Sequence, residues 1–429
     1  MMSMASIRAR LFSRRVGIAS VYLGATVLAR AGAVLLIPLY TRRLSLAEYG
    51  DYALAQTLIS LLATPIALGL HAAVGRFYFD LNDLSASKER VGSAARWLVV
   101  VTIGIAALLE LLVLAARPAG THGIFGRWEL SCIVWGAAGA SVGQVPPQYL
   151  KSAQRPFPAA AFQLTEFFLT VGSGLFMVLY LGRGFRGAVE AMAIAGLANG
   201  VIATGFVLIA LKGPLSRVVL REAMRFSLPF IPHGVGNQVQ FVADRWVMKL
   251  TGNETALGAY ALASQLTTPV SMAIEAWHQA SGPQIGEALR TGGIAEVSKR
   301  RFGYQRSYLL VGLATSLAVC VALPIAGLLV GKSFHAALWI APLLCALIVM
   351  ESLYLSNAVM LLYANEPAWL PKITIPAGAL NVLLNAALVP FFGIGGALTS
   401  RAVAMGLRSG AMWAIAGRRL RERLERSGA

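Results

Sequence analysis

Twelve long apolar runs fill almost the whole of this 429-residue chain. Each run has about 20 residues or more, which is the length that an α-helix needs to cross the hydrocarbon core of a bilayer. They lie at residues 16–40, 51–77, 91–116, 129–150, 158–181, 187–211, 226–250, 255–282, 305–330, 336–363, 370–391 and 395–417. Only 13% of the residues are charged, whereas about 25% is usual for a soluble domain. The sequence therefore predicts an all-α polytopic membrane protein with about 12 transmembrane helices and no sizeable soluble domain.

The first apolar run begins like a secretory signal, because the arginines between Arg8 and Arg15 precede an apolar stretch. A signal of that kind ends at a cleavage site after a short apolar core. Here Arg30 interrupts the stretch, and the apolar run then resumes as far as Tyr40. We therefore expect the first run to be an uncleaved membrane span.

Positive charge is distributed unevenly between the segments that join the runs. The chain has 37 Lys and Arg residues against 19 Asp and Glu residues, which gives a net charge of +18. With the N-terminus inside, 23 of the 37 fall on the cytoplasmic side and 8 on the opposite side. Cytoplasmic loops retain Lys and Arg during membrane insertion. The sequence therefore predicts that both termini are cytoplasmic.

Three features of the sequence are typical of other functions, but their surroundings do not favour those functions. The net positive charge is typical of nucleic-acid-binding proteins, but no soluble module is left to present a basic face. The segment at 182–187 fits the GxGxxG pattern of nucleotide-binding folds, but no strand is predicted before it. Cys132, Cys320 and Cys345 lie inside apolar runs, without disulfide or metal-ligand spacing. We therefore expect no nucleic acid partner, no cofactor and no metal site, and membrane lipids as the surroundings of the chain.

Short motifs recur at a spacing close to half the chain length. The motif Gly-Asp-Tyr-Ala-Leu-Ala opens the second run, and Gly-Ala-Tyr-Ala-Leu-Ala opens the eighth. The matched segments are 50–55 with 258–263, 184–188 with 393–397, and 196–200 with 406–410. Each match is weak alone, but three at nearly one offset indicate two pseudo-symmetric six-helix lobes in the same orientation.

The repeat also divides the chain into predicted domains. These are an N-lobe at 1–211, a cytoplasmic inter-lobe linker at 212–225, a C-lobe at 226–417 and a basic cytoplasmic tail at 418–429. Transporters built from repeats bind their substrates at the repeat interface. The sequence therefore predicts a binding site on helix faces from both lobes.

Polar side chains recur along single faces of four predicted spans. The stripes are Thr57, Ser60, Thr64 and His71; Gln163, Glu166, Thr170 and Ser173; His233, Asn237, Gln240 and Asp244; and Ser264, Thr268, Ser271, Glu275 and His278. One interpretation is that such side chains join helices through hydrogen bonds, each contributing about 0.6 kcal/mol. The alternative is a hydrated central cavity, because a polar group that faces lipid is costly. The residues expected to line that cavity and bind substrate are Thr57, Ser60, Thr64, His71, Asn237, Gln240, Thr268 and Ser271.

Three ionisable residues in these stripes have a further candidate role. A carboxylate buried in a membrane must pair with a cation, take up a proton or face water. Asp244, Glu275 and His278 are therefore candidates for coupling transport to proton or sodium binding. Arg245 lies about 100° from Asp244 around the helix, and we expect it to have a structural role.

Arg30 lies fourteen residues into the first predicted span. At a rise of about 1.5 Å per residue, this depth is about 21 Å, close to the middle of the bilayer. One interpretation is an ion pair with Glu110, Glu166 or Glu351 that only fixes helix packing. The other is an anion site for a phosphate-bearing substrate, since a guanidinium binds phosphate through two parallel hydrogen bonds.

Several segments of the chain resemble a known family. Ile-Pro-Leu-Tyr-Thr-Arg at 37–42, followed by 44–55, is similar to the first hairpin of the bacterial Wzx-type flippases for lipid-linked polysaccharide units. The segment 225–232, with Asp244-Arg245 and 258–263 after it, is also similar. These flippases belong to the multidrug, oligosaccharidyl-lipid and polysaccharide exporter superfamily. The resemblance extends over essentially the whole chain.

This resemblance implies a V-shaped pair of six-helix lobes around a cationic cavity. It implies a flippase, not an enzyme, which moves an undecaprenyl-diphosphate-linked oligosaccharide repeat unit from the inner to the outer leaflet of the bacterial inner membrane. The unit would serve O-antigen, capsule or exopolysaccharide biosynthesis, with polysaccharide polymerase or export machinery as candidate protein partners. Arg30 matches by position an arginine on the first cavity helix of a related peptidoglycan-precursor flippase. That relative has another arginine in its second span, where this chain has His71 and, at the end of the span, Arg76.

Three other functions are alternatives to that of a flippase. A multidrug exporter of the same superfamily would exchange cationic drugs for sodium or protons, and an acidic cavity would favour it. A membrane glycan polymerase or ligase would present a long outer loop with catalytic residues, but the longest outer loop predicted here is only 117–128. A structural partner in an export complex would tolerate loss of the polar stripes.

Overall fold

The computed structural model describes residues 24, 32, 34–78, 84–115, 124–228, 230–363, 366 and 368–426. Regular secondary structure within these residues is entirely helical. The helices are α1 (Ile37–Arg43), α2 (Leu46–Ile66), α3 (Leu70–Phe77), α4 (Leu84–Ala115), α5 (Arg127–Gly143), α6 (Val145–Ser152), α7 (Pro156–Gly174), α8 (Gly184–Ala210), α9 (Arg217–Ser227), α10 (Phe230–Leu250), α11 (Glu254–Leu266), α12 (Thr268–Leu329), α13 (Ala336–Tyr363), α14 (Trp369–Phe392) and α15 (Ile394–Arg426). A π-helix, Leu175–Tyr180, continues α7, and a 3-10 helix, Lys332–Phe334, precedes α13.

The helices group into two compact units. The first unit consists of Met1–Leu44 and Asp51–Val235, and the second of Ser45–Gly50 and Gly236–Ala429. A capping box begins α2: the backbone N–H of Ser45 donates to Glu48 Oε2, and the N–H of Glu48 donates to Ser45 Oγ. This first turn of α2 belongs to the second unit, and the remainder of the helix lies in the first.

Several of the described helices have the length and apolar composition of membrane spans. Helices lie at each predicted span from the second to the twelfth. Six stretches are long and apolar enough to cross a bilayer alone: Ser85–Ala115, Pro156–Tyr180, Gly184–Ala210, Gly293–Leu329, Lys332–Leu362 and Trp369–Phe392. A seventh is the bent pair α2 and α3. Other predicted spans are divided, as α5 and α6 are at Gln144, or contain charges, as α15 does at Arg401 and Arg408. The prediction of an all-α polytopic membrane protein is confirmed.

The second predicted span is broken, which corrects one part of the sequence analysis. Pro65 removes a backbone donor near the end of α2, and Leu68 and Gly69 have φ angles of 47° and 65°. The axes of α2 and α3 differ by 58°. His71 follows this bend, so it does not continue the helix face of Thr57, Ser60 and Thr64. The prediction that all four residues lie on one helix face was therefore wrong for His71.

The glycine motifs of the repeat have the same structural role in both halves. Gly184 begins α8 with a φ of 56°, and Gly393, immediately before α15, has a φ of 53°. These left-handed values strain residues that have a Cβ. Three residues further on, a Cβ on Gly187 would lie 2.9 Å from Met177 O, and one on Gly396 would lie 2.5 Å from Leu388 O. The last helix of each half therefore turns back closely on the helix before it, as the repeat predicts.

The third repeat segment differs between the halves. In the first unit, α5 and α8 cross so closely that a Cβ on Gly139 would lie 2.2 Å from the carbonyl oxygen of Gly196. In the second unit, Arg408 stands where the first has Ala198, and its side chain is buried. The second half of the repeat therefore has a buried charged side chain at a position where the first half has alanine.

Candidate functional site

The polar residues of α2 hydrogen bond to their own helix. Thr57 Oγ1 donates to the carbonyl oxygen of Leu54 at 2.7 Å, and Ser60 Oγ donates to that of Gln56 at 3.0 Å. Thr57 is buried, Ser60 is exposed, and Thr64 is half-buried. Because the two hydroxyl protons are used within the helix, these groups present acceptor lone pairs rather than a donor to a neighbour.

The structure does not describe the side chains of four candidate residues: Arg30, His233, Asn237 and Gln240. Arg30 lies outside the described residues, so its two interpretations stay predictions. Asn237 and Gln240 lie on α10, as does His233, but their side chains lie outside the described part of the structure.

Asp244 lies in a buried polar network of the second unit. The residue is 2% exposed, and its Oδ2 accepts a hydrogen bond from Tyr260 Oη at 2.5 Å. Its Oδ1 accepts one from the backbone N–H of Arg245 at 2.8 Å. Arg401, on α15, interacts electrostatically with both Asp244 and Tyr260. Of the three outcomes open to a buried carboxylate, Asp244 therefore has a partner cation.

A buried cation, Arg408, lies two turns further along α15. The guanidinium of Arg408 lies 3.7 Å from the ring centroid of Tyr354, and its Nη1 lies 3.9 Å from Glu351 Oε1. Its Nε is buried and makes no hydrogen bond within the described residues. Arg401 and Arg408 are seven residues apart, which is about 10.5 Å along one helix face. Glu351, a candidate partner for Arg30 in the sequence analysis, therefore has Arg408 beside it.

Arg301 is another buried arginine of this unit. It lies between the predicted spans 255–282 and 305–330, in a segment predicted to be cytoplasmic, but the residue is 7% exposed within α12. Its Nη2 donates to Asn357 Oδ1 at 3.1 Å and also to the carbonyl oxygen of Trp413. Gln305 Nε2 donates to the same Asn357 oxygen at 2.8 Å. These acceptors are neutral, so they satisfy the guanidinium without cancelling its charge.

Helix α12 is broken at Gly293, which has φ 63° and ψ −159°. The stripe residues Thr268, Ser271, Glu275 and His278 all lie before this break. Thr268 Oγ1 donates to Ser264 O at 3.4 Å. Ser271 and Glu275 are exposed, and Gln279 Nε2 donates to Glu275 Oε1 at 3.3 Å. These side chains therefore lie on an accessible part of the helix.

His278 is held by a residue on the other side of that break. Its Nδ1 lies 3.0 Å from Tyr308 Oη, and Ser281 Oγ lies 2.7 Å from the same oxygen. Tyr308 is fully buried. The two limbs of α12 are thus joined by hydrogen bonds through one tyrosine, and Glu275 is one turn away from His278 on the first limb.

The glycine-rich segment at 182–187 forms an ion-pair cluster rather than a phosphate cradle. Arg183 Nη1 lies 2.8 Å from Glu190 Oε2, and Arg186 Nε lies 3.4 Å from Glu129 Oε1. The indole N–H of Trp128 donates to Glu190 Oε1 at 2.7 Å. Both arginines of the motif are therefore engaged by carboxylates of the first unit. Among the described residues, no group of three His, Cys, Asp or Glu side chains could hold a metal ion, and the three cysteines are free.

Sequence reasoning missed Tyr260, Tyr308, Arg301 and Arg401 as parts of these networks. Arg401 and Arg408 both lie inside the predicted span 395–417. Their spacing of seven residues was the available signal, because it places both on one face of a helix. Tyr260 carried no such signal, since it lies within an apolar motif.

The chain is similar to a described protein family and to individual proteins of known organisms. Residues 18–288, well over half of the chain, match the model of a family described as polysaccharide biosynthesis protein. "Lsg locus putative protein 1" of Haemophilus influenzae is 27% identical over 267 residues, which cover 60% of this chain and 62% of that protein. "Probable low-salt glycan biosynthesis flippase Agl15" of Haloferax volcanii is 22% identical over 379 residues, covering 87% of this chain and 77% of that protein.

The fold is also found among solved transporters. An outward-facing multidrug resistance MATE family transporter of the MOP superfamily superimposes with a TM-score of 0.66 over 95% of each chain, at 15% identity. An identity this low shows the fold alone, and it confirms the exporter fold that the family resemblance implied. The matched family model covers most of the first unit and the start of the second. The chain therefore belongs to the family of polysaccharide biosynthesis proteins, which confirms the family resemblance of its motifs.

Proposed function

We propose that this protein is a flippase that moves a polyprenyl-diphosphate-linked oligosaccharide repeat unit from the inner to the outer leaflet of a bacterial inner membrane. The match of residues 18–288 to the polysaccharide biosynthesis family carries this proposal. The relative from Haloferax volcanii, whose printed name is that of a glycan biosynthesis flippase, supports it, as does the exporter fold. The translocated unit would serve O-antigen, capsule or exopolysaccharide biosynthesis.

The charges of the second unit fit an anionic substrate better than a cationic one. Among the charged residues of the second unit described above, Arg301, Arg401 and Arg408 are cations, whereas Asp244 and Glu351 are anions that lie near Arg401 and Arg408. A diphosphate carries negative charge that guanidinium groups complement through paired hydrogen bonds. This surplus of positive charge supports a phosphate-bearing substrate and disfavours the cationic substrates of a multidrug exporter.

Each candidate site residue has a proposed role in the transport of the lipid-linked unit. Arg30 would contact the diphosphate or an acidic sugar. The glycan would pass along Thr57, Ser60, Thr64, His71, Asn237, Gln240, Thr268 and Ser271 while the polyprenyl chain stays in lipid. Glu275 and His278, which lie one turn apart, would couple proton or sodium binding to alternating access. Asp244, because it interacts with Arg401, would instead hold α10, α11 and α15 together.

Deletion of the gene tests the function directly. Mass spectrometry of lipid extracts should find a polyprenyl-diphosphate-linked oligosaccharide that accumulates in the deletion strain, and surface polysaccharide should be lost. A plasmid copy of the wild-type chain should reverse both changes. Normal surface polysaccharide with no accumulated precursor would contradict the proposal. Drug sensitivity without a glycan phenotype would indicate a multidrug exporter instead.

A further inference from the structure

Helix α9 is strongly amphipathic, with its buried and exposed residues on opposite faces. Val219, Ala223 and Ser227, spaced four residues apart, are buried. Arg217, Arg221 and Arg225, also spaced four residues apart, are all exposed. At 100° per residue, the centres of these two faces are about 160° apart. One face of the helix is therefore fixed in the first unit, and the other presents a row of three guanidinium groups.

This helix lies where a membrane span ends. The span Gly184–Ala210 stops shortly before it, and Ser216 caps the helix by accepting a hydrogen bond from the N–H of Val219. The backbone of Ser216 is joined to α4 by two hydrogen bonds, to Ser93 Oγ at 3.1 Å and from the indole N–H of Trp97 at 3.0 Å. Both contacts lie within the N-terminal half of the span Ser85–Ala115. Since 212–225 is predicted to be a cytoplasmic segment between two spans, we expect α9 to lie at the cytoplasmic membrane surface.

The exposed face combines positive charge with apolar side chains. Val218 is 68% exposed and Leu215 is 52% exposed, beside the three arginines and Lys212. The acidic residue of α9, Glu222, forms an ion pair with Arg90 of α4. Among the described residues, no carboxylate forms an ion pair with Arg217, Arg221 or Arg225. An amphipathic helix with apolar side chains and unpaired cations at a membrane surface is suited to anionic lipid.

The buried side of α9 contacts the bend between α2 and α3. The carbonyl oxygen of Ser227 lies 3.3 Å from the position of a Cβ on Gly69, where the left-handed φ makes the bend. The guanidinium of Arg76, in the last turn of α3, lies 4.4 Å from the ring centroid of Phe226. Movement of α9 relative to α4 would therefore be transmitted to the segment that carries His71.

We propose that the exposed face of α9 binds the headgroups of anionic phospholipids and that this binding holds the α2–α3 bend in place. The site does not depend on the identity of the transported substrate. We therefore expect anionic lipid to stabilise the α2–α3 bend and zwitterionic lipid to leave it less stable.

The test uses the purified full-length chain in nanodiscs of phosphatidylcholine with increasing fractions of phosphatidylglycerol. The triple variant Arg217→Gln, Arg221→Gln and Arg225→Gln removes the charged row. A matched control, Arg418→Gln, Arg419→Gln and Arg421→Gln, removes three charges from the end of α15. We expect native mass spectrometry to show at least threefold less bound phosphatidylglycerol for the α9 variant, and wild-type binding for the control.

Hydrogen exchange supplies a second measurement at the bend. The amides of Leu68, Gly69 and Ala72 donate to Pro65 O, Thr64 O and Gly69 O. Their exchange should slow with phosphatidylglycerol in the wild type and in the control, but not in the α9 variant. Equal lipid binding by the two triple variants, or equal slowing at the bend, would overturn the proposal. Should the α9 variant fail to fold, Arg→Lys changes at the same positions must retain lipid binding, and their loss of binding would also overturn it.

The substrate is a separate source of the same phosphate chemistry, and a further arm distinguishes it. Undecaprenyl diphosphate is added to phosphatidylcholine nanodiscs without phosphatidylglycerol. Protection of the bend by this lipid alone would assign α9 to substrate loading and contradict a phospholipid site. Failure of the flippase proposal in the deletion strain would leave the phosphatidylglycerol result unaffected, so the two proposals are tested independently.

Discussion

Tyr260 Oη donates a 2.5 Å hydrogen bond to Asp244 Oδ2, and both side chains are buried in the second unit. The two residues lie on α10 and α11, and the nearby Arg401 lies on α15. One carboxylate thus joins three helices, two of which are far apart in sequence. A buried carboxylate with a hydrogen-bond donor and a guanidinium beside it stabilises the packing only while all partners are present.

Asp244→Asn should lower the stability of the second unit, because it leaves the charge of Arg401 without its buried counter-charge. Breaking a buried ion pair costs about 3–5 kcal/mol. Tyr260→Phe removes one hydrogen bond to a charged group and should cost less, about 1.5–3 kcal/mol. Thermal unfolding of the purified protein in detergent, followed by intrinsic fluorescence, measures both changes.

A double variant distinguishes this structural role from ion coupling. Arg401→Gln combined with Asp244→Asn replaces the ion pair by two neutral amides, and we expect it to unfold at a higher temperature than Asp244→Asn alone. An Asp244→Asn variant of wild-type stability that loses a sodium or proton dependence of transport would contradict this role. It would place Asp244 with Glu275 and His278 as a coupling group.

The paired glycines of the repeat should differ in their tolerance of alanine. A Cβ on Gly258 would lie 2.0 Å from the carbonyl oxygen of Leu46, whereas one on Gly50 would lie 2.9 Å from Leu257 Cγ. A side chain can move away more easily than a backbone carbonyl. We expect Gly258→Ala to cost about 3 kcal/mol and Gly50→Ala about 1 kcal/mol, within the range for overpacked sites. Gly104→Ala is the matched control, because nothing lies within 4 Å of its Cβ position.

Much of the fold could be predicted from the sequence, because its signals are local. Apolar runs of spanning length predict helices, and Gly184 and Gly393 predict equivalent turns since glycine readily takes a left-handed φ. The bend before His71 was not predictable in this way. Proline is tolerated within membrane helices, and the left-handed φ of 47° falls on Leu68, a residue type that gives no sign of it.

The candidate site was less predictable, because its partners are set by tertiary packing. The polar stripes place Asp244 and His278 on helix faces, but no periodicity pairs Asp244 with Tyr260, or His278 with Tyr308. Arg301 shows the same limit. It lies in a basic stretch that is typical of a loop, yet Asn357 and Gln305 surround it with neutral polar groups in a buried position.

Glu275→Gln should separate ion coupling from stability. The carboxylate is exposed and accepts a hydrogen bond from Gln279, which an amide oxygen can also accept. We therefore expect a change of less than about 0.5 kcal/mol in stability, together with reduced transport. Tyr308→Phe should instead lower the stability and leave transport unchanged at equal protein level. It leaves His278 Nδ1 and Ser281 Oγ without their shared partner, so unfolding should shift by about 1–3 kcal/mol. Wild-type transport by Glu275→Gln would exclude this residue from coupling.

The distribution of Lys and Arg predicts the membrane orientation, which reporter fusions can measure. Alkaline phosphatase fused after Lys212 or after the C-terminal residue should be inactive, whereas green fluorescent protein should fluoresce at both sites. Fusions within 117–123 should give the reverse result, because that segment is predicted to lie outside. Active phosphatase at the C-terminus would contradict the cytoplasmic placement of both termini.

Arg30→Ala should abolish or strongly reduce flipping if this arginine contacts the diphosphate, because a guanidinium-phosphate contact is both charged and bidentate. Arg30→Lys keeps the charge without the fork of donors, so we expect intermediate activity. The measurement is the ratio of surface polysaccharide to accumulated lipid-linked precursor in a deletion strain that makes each variant at equal protein level. Arg10→Ala, in the basic segment before the first span, is the control and should behave as wild type. An Arg30→Ala variant that flips normally but unfolds at a lower temperature would instead support the ion-pair interpretation, with Glu110, Glu166 or Glu351 as the partner.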